Sequence, residues 1–344
     1  MQIQIHALLI TLLMLAGGLT PSMAQAAPDP QWVAPAGDEP VSICNDDDRV
    51  ASSDSRIGRL SFLNPGGSVS PFCTAWLIGN GAVLSAGHCV DTSATWPNPV
   101  VVEFNVPLSS ATGMPGSAAA VDQYPVQVNS IRFRYDGEDT DGADWAVFRV
   151  GPNPISSRSA HAVQGFFRVT NRNPSSNAAI RITGYGVDDG GANQTQQTHV
   201  GDYDGENEDE GLWHEYNVDT ASGNSGGPII WEAMGLAIGI HTTGGCDEFL
   251  GIFGSNSGTS FENADLANAI VTFPGPNTIY VDTLVHPGAA NGHLYNPFNT
   301  VRQAVDAVPA GGQVSIVAGN YPETLAINKS VILVAPVGTV VIGQ

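Results

Sequence analysis

The stretch Thr74-Ala75-Trp76-Leu77-Ile78-Gly79-Asn80-Gly81-Ala82-Val83-Leu84-Ser85-Ala86-Gly87-His88-Cys89 decides the fold. Two apolar, strand-forming runs flank Gly79-Asn80-Gly81. An Asn-Gly pair in that position is a strong hairpin signal, because both residues accept the positive φ that a tight turn requires. The string from Ser85 to Cys89 leaves the second arm directly. It therefore sits at a strand end, where side chains are exposed at a sheet rim.

The same character extends outward in both directions. Residues 56–273 alternate short β-type runs with Gly, Asn and Pro turns, among them 145–150, 179–183 and 236–241. Residues 264–270 have the spacing of a short helix. This pattern predicts an all-β domain. Pro274-Gly275-Pro276-Asn277 reads as a linker. Beyond it the pattern changes. Residues 299–308 carry Val301, Ala304, Val305 and Val308 on one helical side. Strand-like runs then follow at 313–317, 323–327, 331–334 and 339–342. Short strands at even spacing predict a β-solenoid, whose coils bury their faces only by stacking.

Composition narrows the function. The 344 residues include 40 Gly and 23 Pro, an excess that suits turn-rich β architecture. Twelve Lys and Arg stand against 33 Asp and Glu, a net charge of −21. Lys329 is the only lysine. Phosphate contacts need cations, so nucleic-acid binding is excluded as an expectation.

The N-terminus has the form of a secretory signal. An apolar run at 7–19 is too short to span a bilayer, and small residues follow with spacing for cleavage after Ala24 or Ala26. Residues 1–26 are thus expected to be a signal peptide and the protein to be secreted, either extracellular or periplasmic. No later segment suggests a membrane anchor. Residues 27–55, rich in Pro, Asp and Ser, read as a leader or propeptide. Export permits disulfides. Cys44, Cys73, Cys89 and Cys246 allow three pairings, and spacing alone leaves all three open.

Three separated strings carry chemistry: Ser85-Ala86-Gly87-His88-Cys89, Ala143-Asp144-Trp145-Ala146-Val147 and Gly223-Asn224-Ser225-Gly226-Gly227-Pro228. A serine hydroxyl is a weak nucleophile and needs a base beside it. An imidazole serves near neutral pH. A buried carboxylate must fix its tautomer and stabilise the imidazolium. Backbone N–H groups among glycines can hold the oxyanion of a tetrahedral intermediate. Together the strings point to acyl transfer.

Taken together these strings resemble the chymotrypsin/trypsin-like serine peptidase family over residues 56–271. The resemblance implies two six-stranded antiparallel barrels with the site between them. It implies His88 as general base, Asp144 as its orienter, Ser225 as nucleophile, and Gly223 with Ser225 as oxyanion donors. It also implies a Cys73–Cys89 disulfide, which leaves Cys44 to pair with Cys246. Asp139 and Asp141 are rivals to Asp144, which is preferred because an apolar strand follows it directly. Arg56-Ile57-Gly58 resembles an activation cleavage site. Yet Asn224 stands where trypsin-like zymogens carry an aspartate, so an inserted amine has no ion partner. Ala221 replaces a cysteine of many animal members, which places the chain nearer the bacterial branch.

Two specificities compete on resemblance. Asp219 lies six residues before Ser225, where trypsin-like enzymes hold the carboxylate that binds Arg or Lys. Thr220 and His241 are similar to the hydroxyl and imidazole with which glutamyl endopeptidases bind a substrate carboxylate. Such donors suit an acidic side chain, so cleavage after Glu or Asp is expected. Acidic residues at 136–144 and 202–210 offer oxygen ligands for calcium but lack the EF-hand order. No other cofactor and no metal site is expected. Residues from 278 onward resemble the start of a pectate-lyase-like right-handed β-helix. This tail is expected to contact a surface or polysaccharide. The expected function is a secreted serine endopeptidase acting on protein or peptide substrates. An adhesion or carbohydrate-binding protein on a peptidase scaffold, or an esterase on the same triad, are the other readings.

Overall fold

In a computed structural model, the structure describes residues 3–5, 42–44, 46–137, 142–207, 213–246, 248–249, 252–273, 275, 277–284 and 288–343. Apart from the short strand Ile3–Ile5, the expected signal peptide lies outside them.

Six strands form a closed barrel. They are β1 (Ile57–Leu63), β2 (Val69–Leu77), β3 (Val83–Ser85), β4 (Val100–Glu103), β5 (Gln123–Arg134) and β6 (Trp145–Val150), joined antiparallel in the order β1-β2-β3-β6-β5-β4. The predicted hairpin joins β2 to β3, with Leu77 opposite Val83. Gly81 takes a φ of 87°, and the Asn80 side-chain oxygen accepts the Ala82 N–H. Leu60, Leu77, Val83, Val102, Tyr124 and Phe148 fill the interior. On the other face of the same strands lies a buried Arg59–Glu103 ion pair (2.9 Å). Ser61 Oγ and the Ala118 N–H donate to the same carboxylate, so its lone pairs are satisfied.

The next six strands close a second barrel. They are β7 (Ala179–Gly184), β8 (Gln197–Asn207), β9 (Trp213–Asn217), β10 (Pro228–Trp231), β11 (Leu236–Thr243) and β12 (Asn256–Ser260). The order is β9-β12-β11-β10-β7-β8, and β8 pairs with β9 to close the ring. The fold is all-β with two six-stranded antiparallel barrels, as expected. Between them lies a shared core that includes Ile57, Trp76, Trp145, Phe167, Tyr185 and Phe261. Helices are few: α1 (Ala160–Gln164) and α2 (Ala264–Thr272), the latter capped by Asn263 accepting from the Asp265 and Leu266 N–H groups.

The tail pairs its strands in parallel. Strands β13 (Thr278–Val281), β14 (Gln313–Ile316) and β16 (Ile332–Val334) form one sheet. Strand β15 (Gly319–Tyr321) runs parallel to β17 (Val340–Ile342), against which Ile3–Ile5 lies antiparallel. Helix α3 (Val301–Ala307) matches the predicted spacing, with Val301, Ala304 and Val305 buried. The strand expected at 323–327 does not form. Instead the Glu323 carboxylate accepts the Val301 and Arg302 N–H groups (2.7 and 2.9 Å) and caps α3. The tail is continuous with the peptidase core: Tyr280, Leu294 and Tyr295 share the cluster of Trp76 and Phe261. Arg168 bridges to Asp282 across the same boundary. Among the described residues no helix is long and apolar enough to cross a membrane.

Candidate active site

The three strings meet where the barrels face each other. His88 follows β3 on a loop pinned by the Cys73–Cys89 disulfide. Gly87 is required by packing: a Cβ there would lie 2.0 Å from the Arg134 carbonyl oxygen. Asp144 immediately precedes β6 and is buried, its carboxyl 6% exposed against 28% for the imidazole. Its Oδ2 lies 2.6 Å from His88 Nδ1, and its Oδ1 accepts the His88 backbone N–H at 2.9 Å. A carboxylate bonded to both ring and backbone of one histidine fixes the ring plane and sets Nδ1 as the protonated nitrogen. Nε2 is then left as the base. Thr259 Oγ1 donates to the Asp144 carbonyl (2.8 Å) and ties this side to β12. Asp139 and Asp141 lie outside the described residues.

Ser225 lies on the tight loop before β10. Its carbonyl accepts the Thr74 N–H at 2.9 Å and lies 3.9 Å from Cys89 Sγ, which sets Ser225 beside the histidine loop. Thr74 was not singled out by sequence, yet it bridges the barrels. Its Oγ1 donates to the Gly223 carbonyl (2.8 Å) and accepts the Tyr185 N–H (3.0 Å). Gly223 has a φ of 96° and Gly226 of 88°, conformations that disfavour a side chain. Among the described residues neither the Gly223 nor the Ser225 N–H donates to a protein acceptor. Two such amides are the donors that an oxyanion needs. Asn224 is buried, and its side-chain oxygen accepts the Ala221 N–H, so the loop is held without an inserted amine.

The pocket candidates lie close to this loop. Gly226 N–H donates to the His241 carbonyl (2.7 Å), and the His241 N–H donates to the Gly227 carbonyl (2.8 Å). The His241 ring meets Tyr216, whose hydroxyl is 2.7 Å from Nδ1. Burial, with a smaller contribution from the nearby His88, pushes the His241 pKa down to about 4. Thr220 is fully buried, and its Oγ1 accepts from Asn256 Nδ2 (3.2 Å).

Asp219 is placed differently from a cation receptor. It is 1% exposed, and its two oxygens accept the backbone N–H groups of Cys44 (2.7 Å) and Asp48 (2.8 Å). Residues 42–44 and 46–55, expected to be leader, are integrated with the second barrel. Cys44 pairs with Cys246, and Val50–Ala51 pairs with β8. At the expected activation site Ile57 is buried within β1, and Arg56 is held by Asp54 and by the Phe167 ring.

Two groups of side chains among the described residues have metal-ligating types in proximity. In the first, Cys73 and Cys89 are bonded to each other beside His88. In the second, the lone pairs of Asp219 and His199 are engaged within the protein: His199 Nδ1 accepts the Asp219 N–H at 2.7 Å. Of the acidic stretches, 138–141 and 208–210 fall outside the described residues. Asp204 accepts from Asn217 Nδ2 and Ser255 Oγ.

The family model described as Trypsin matches residues 51–253. Among solved structures the chain is similar to a Glu endopeptidase in complex with MPD, at 20% identity over 67% of this chain and 97% of that one, TM-score 0.46. It is also similar to a thermostable serine protease from an extremophilic microorganism, at 14% identity over 60% of this chain and 92% of that one, TM-score 0.44. A third is the protease Anisep from Arthrobacter nicotinovorans, at 14% identity over 62% of this chain and 93% of that one, TM-score 0.43. No curated protein sequence matches the chain. With its two barrels and a family match across more than half its length, the chain belongs to the trypsin family and is a serine endopeptidase.

Proposed function

We propose that this serine peptidase is exported and cleaves peptide bonds through Ser225, His88 and Asp144. The observation that carries the assignment is the double engagement of Asp144 with the ring and backbone of His88, beside the loop of Ser225. His88 Nε2 takes the Ser225 proton as Oγ attacks the substrate carbonyl. The N–H groups of Gly223 and Ser225 hold the oxyanion, and Asp144 stabilises the imidazolium. His88 then protonates the leaving amine. Water, activated by the same imidazole, hydrolyses the acyl-enzyme. Two disulfides suit an oxidising compartment and support export.

Cleavage after Glu is the specificity that the arrangement favours. His241 and Thr220 stand beside the nucleophile loop, whereas both oxygens of Asp219 are held by backbone amides. The test uses the purified secreted form. A serine-directed phosphonate should label wild type and fail to label Ser225→Ala. Peptides that differ only in Glu, Gln or Arg before the scissile bond should be cleaved in the order Glu, then Gln, with Arg poor. Preference for Arg would overturn the acidic specificity and leave the peptidase assignment standing.

A further inference from the structure

The N-terminal segment that carries Ser42, Cys44 and Asp48 reads as a leader or propeptide by sequence, yet it is bound to the residues proposed for the pocket. Thr220 N–H donates to the Ser42 carbonyl (3.0 Å), and Ser42 Oγ donates back to the Thr220 carbonyl (2.8 Å). Asn256 Nδ2 bridges the Ser42 carbonyl (2.7 Å) and Thr220 Oγ1 (3.2 Å). Ser42 also packs on Gly244, where an added Cβ would lie 2.5 Å from the Ser42 Cβ. Ser42 is thus wedged between Thr220 and Gly244, which belong to the two strings flanking the pocket.

Two anchors hold that wedge. One is the Cys44–Cys246 disulfide, two residues beyond Gly244. The other is Asp219, whose carboxylate receives the Cys44 and Asp48 amides. Arg49 extends the contact through the Val187 carbonyl (3.1 Å). Hydrogen bonds to a charged acceptor are strong, and leaving a buried carboxylate without them is costly.

We propose that Asp219 is a positioning residue for specificity, holding the N-terminal segment so that Ser42 backs the pocket at Thr220 and Gly244. This rests on the reading of Thr220 and His241 as the pocket. The carboxylate acts through the segment and does not meet the substrate. The segment is consequently part of the working enzyme, and any removable leader ends before Ser42.

Two measurements test this. First, the N-terminus of the active secreted protein is sequenced. A start at or before Ser42 supports the proposal, and a start at Ile57 overturns it. Second, wild type, Asp219→Asn and the double variant Cys44→Ser/Cys246→Ser are titrated with a small organophosphate. They are then assayed on paired Glu and Gln peptides. The expected result is full titration of all three proteins. In both variants KM for the Glu peptide should rise about tenfold with kcat largely retained, and the Glu-to-Gln preference should fall. Equal losses on both peptides with a lowered melting temperature would show a purely structural role and overturn the proposal. Wild-type preference for Arg, lost in Asp219→Asn, would show that the carboxylate meets the substrate and overturn it also. Failure of wild type to titrate would overturn the peptidase mechanism, and the inference with it.

Discussion

The Tyr216 hydroxyl lies 2.7 Å from His241 Nδ1 and 2.8 Å from the Ser257 carbonyl oxygen. A carbonyl only accepts, so the single phenolic proton goes to Ser257. Tyr216 then accepts from His241 Nδ1–H, and Nε2 is the ring nitrogen left for a ligand. To bind a carboxylate, Nε2 must itself carry a proton. Burial holds the pKa of this imidazole down at about 4. A carboxylate bound beside the ring would raise that pKa.

Substituting the pair should therefore change selectivity more than turnover. Tyr216→Phe removes the acceptor at Nδ1, and His241→Gln removes the titrating ring. Both should lower kcat/KM for Glu peptides by about tenfold to a hundredfold and leave Gln peptides within a few fold. Paired-peptide kinetics from pH 5 to 9 checks this. An unchanged Glu-to-Gln ratio in His241→Gln would remove His241 from the pocket.

The triad makes a sharper prediction. Ser225→Ala should lower kcat by about a millionfold while the melting temperature stays near wild type. Asp144→Asn should cost about ten thousandfold, because the amide presents a donor to Nδ1 and favours the wrong tautomer. Single-turnover assays with circular dichroism separate lost chemistry from lost fold.

Thr74 is predicted to matter as a bridge. Thr74→Val keeps the shape but removes the donor to the Gly223 carbonyl and the acceptor for the Tyr185 N–H. Stability should fall by about 1–3 kcal/mol. Oxyanion support should weaken with it, visible as lower kcat at similar KM. Urea unfolding and steady-state kinetics on one preparation measure both.

Stability should also fall in acid. Burial lowers the pKa of His161, His214 and His241 to about 4 each. The unfolded chain takes up these protons near pH 6.5, whereas the folded one resists until about pH 4, so protonation favours unfolding within that window. The contribution is complete above about pH 6.5 and is lost as pH falls to about 4, roughly 3 kcal/mol for each imidazole. Denaturant midpoints across pH 4 to 8 should show the slope. A flat profile would contradict the burial of these rings.

The tail should unfold with the peptidase. Tyr295 is 2% exposed and stacks on Phe261, with ring centroids 5.9 Å apart. Tyr295→Ala should cost about 3–5 kcal/mol and preserve a single calorimetric transition. Two separate transitions in wild type would show that the boundary is a true domain break.

Much of this was legible in the chain. The Asn80-Gly81 turn, the helix spacing at Val301 to Val308 and the three chemical strings each depend on local rules of turn geometry and periodicity. Local rules failed where a side chain found a distant use. Residues 323–327 look like a strand, but Glu323 caps α3 across 22 positions. Asp219 looks like a substrate carboxylate, but it receives amides some 170 residues earlier in the chain, those of Cys44 and Asp48.

The sequence by itself determined the all-β class and the strings that point to a serine peptidase, with His88, Asp144 and Ser225 as the residues proposed for its chemistry. These follow from residue type and short-range pattern. Tertiary structure alone decided that Thr74 joins the barrels, that Tyr216 meets His241 Nδ1, and that Ser42 is bonded to Thr220. Each is a hydrogen bond between residues far apart in the chain. Only barrel closure fixes those distances, and no local preference encodes them.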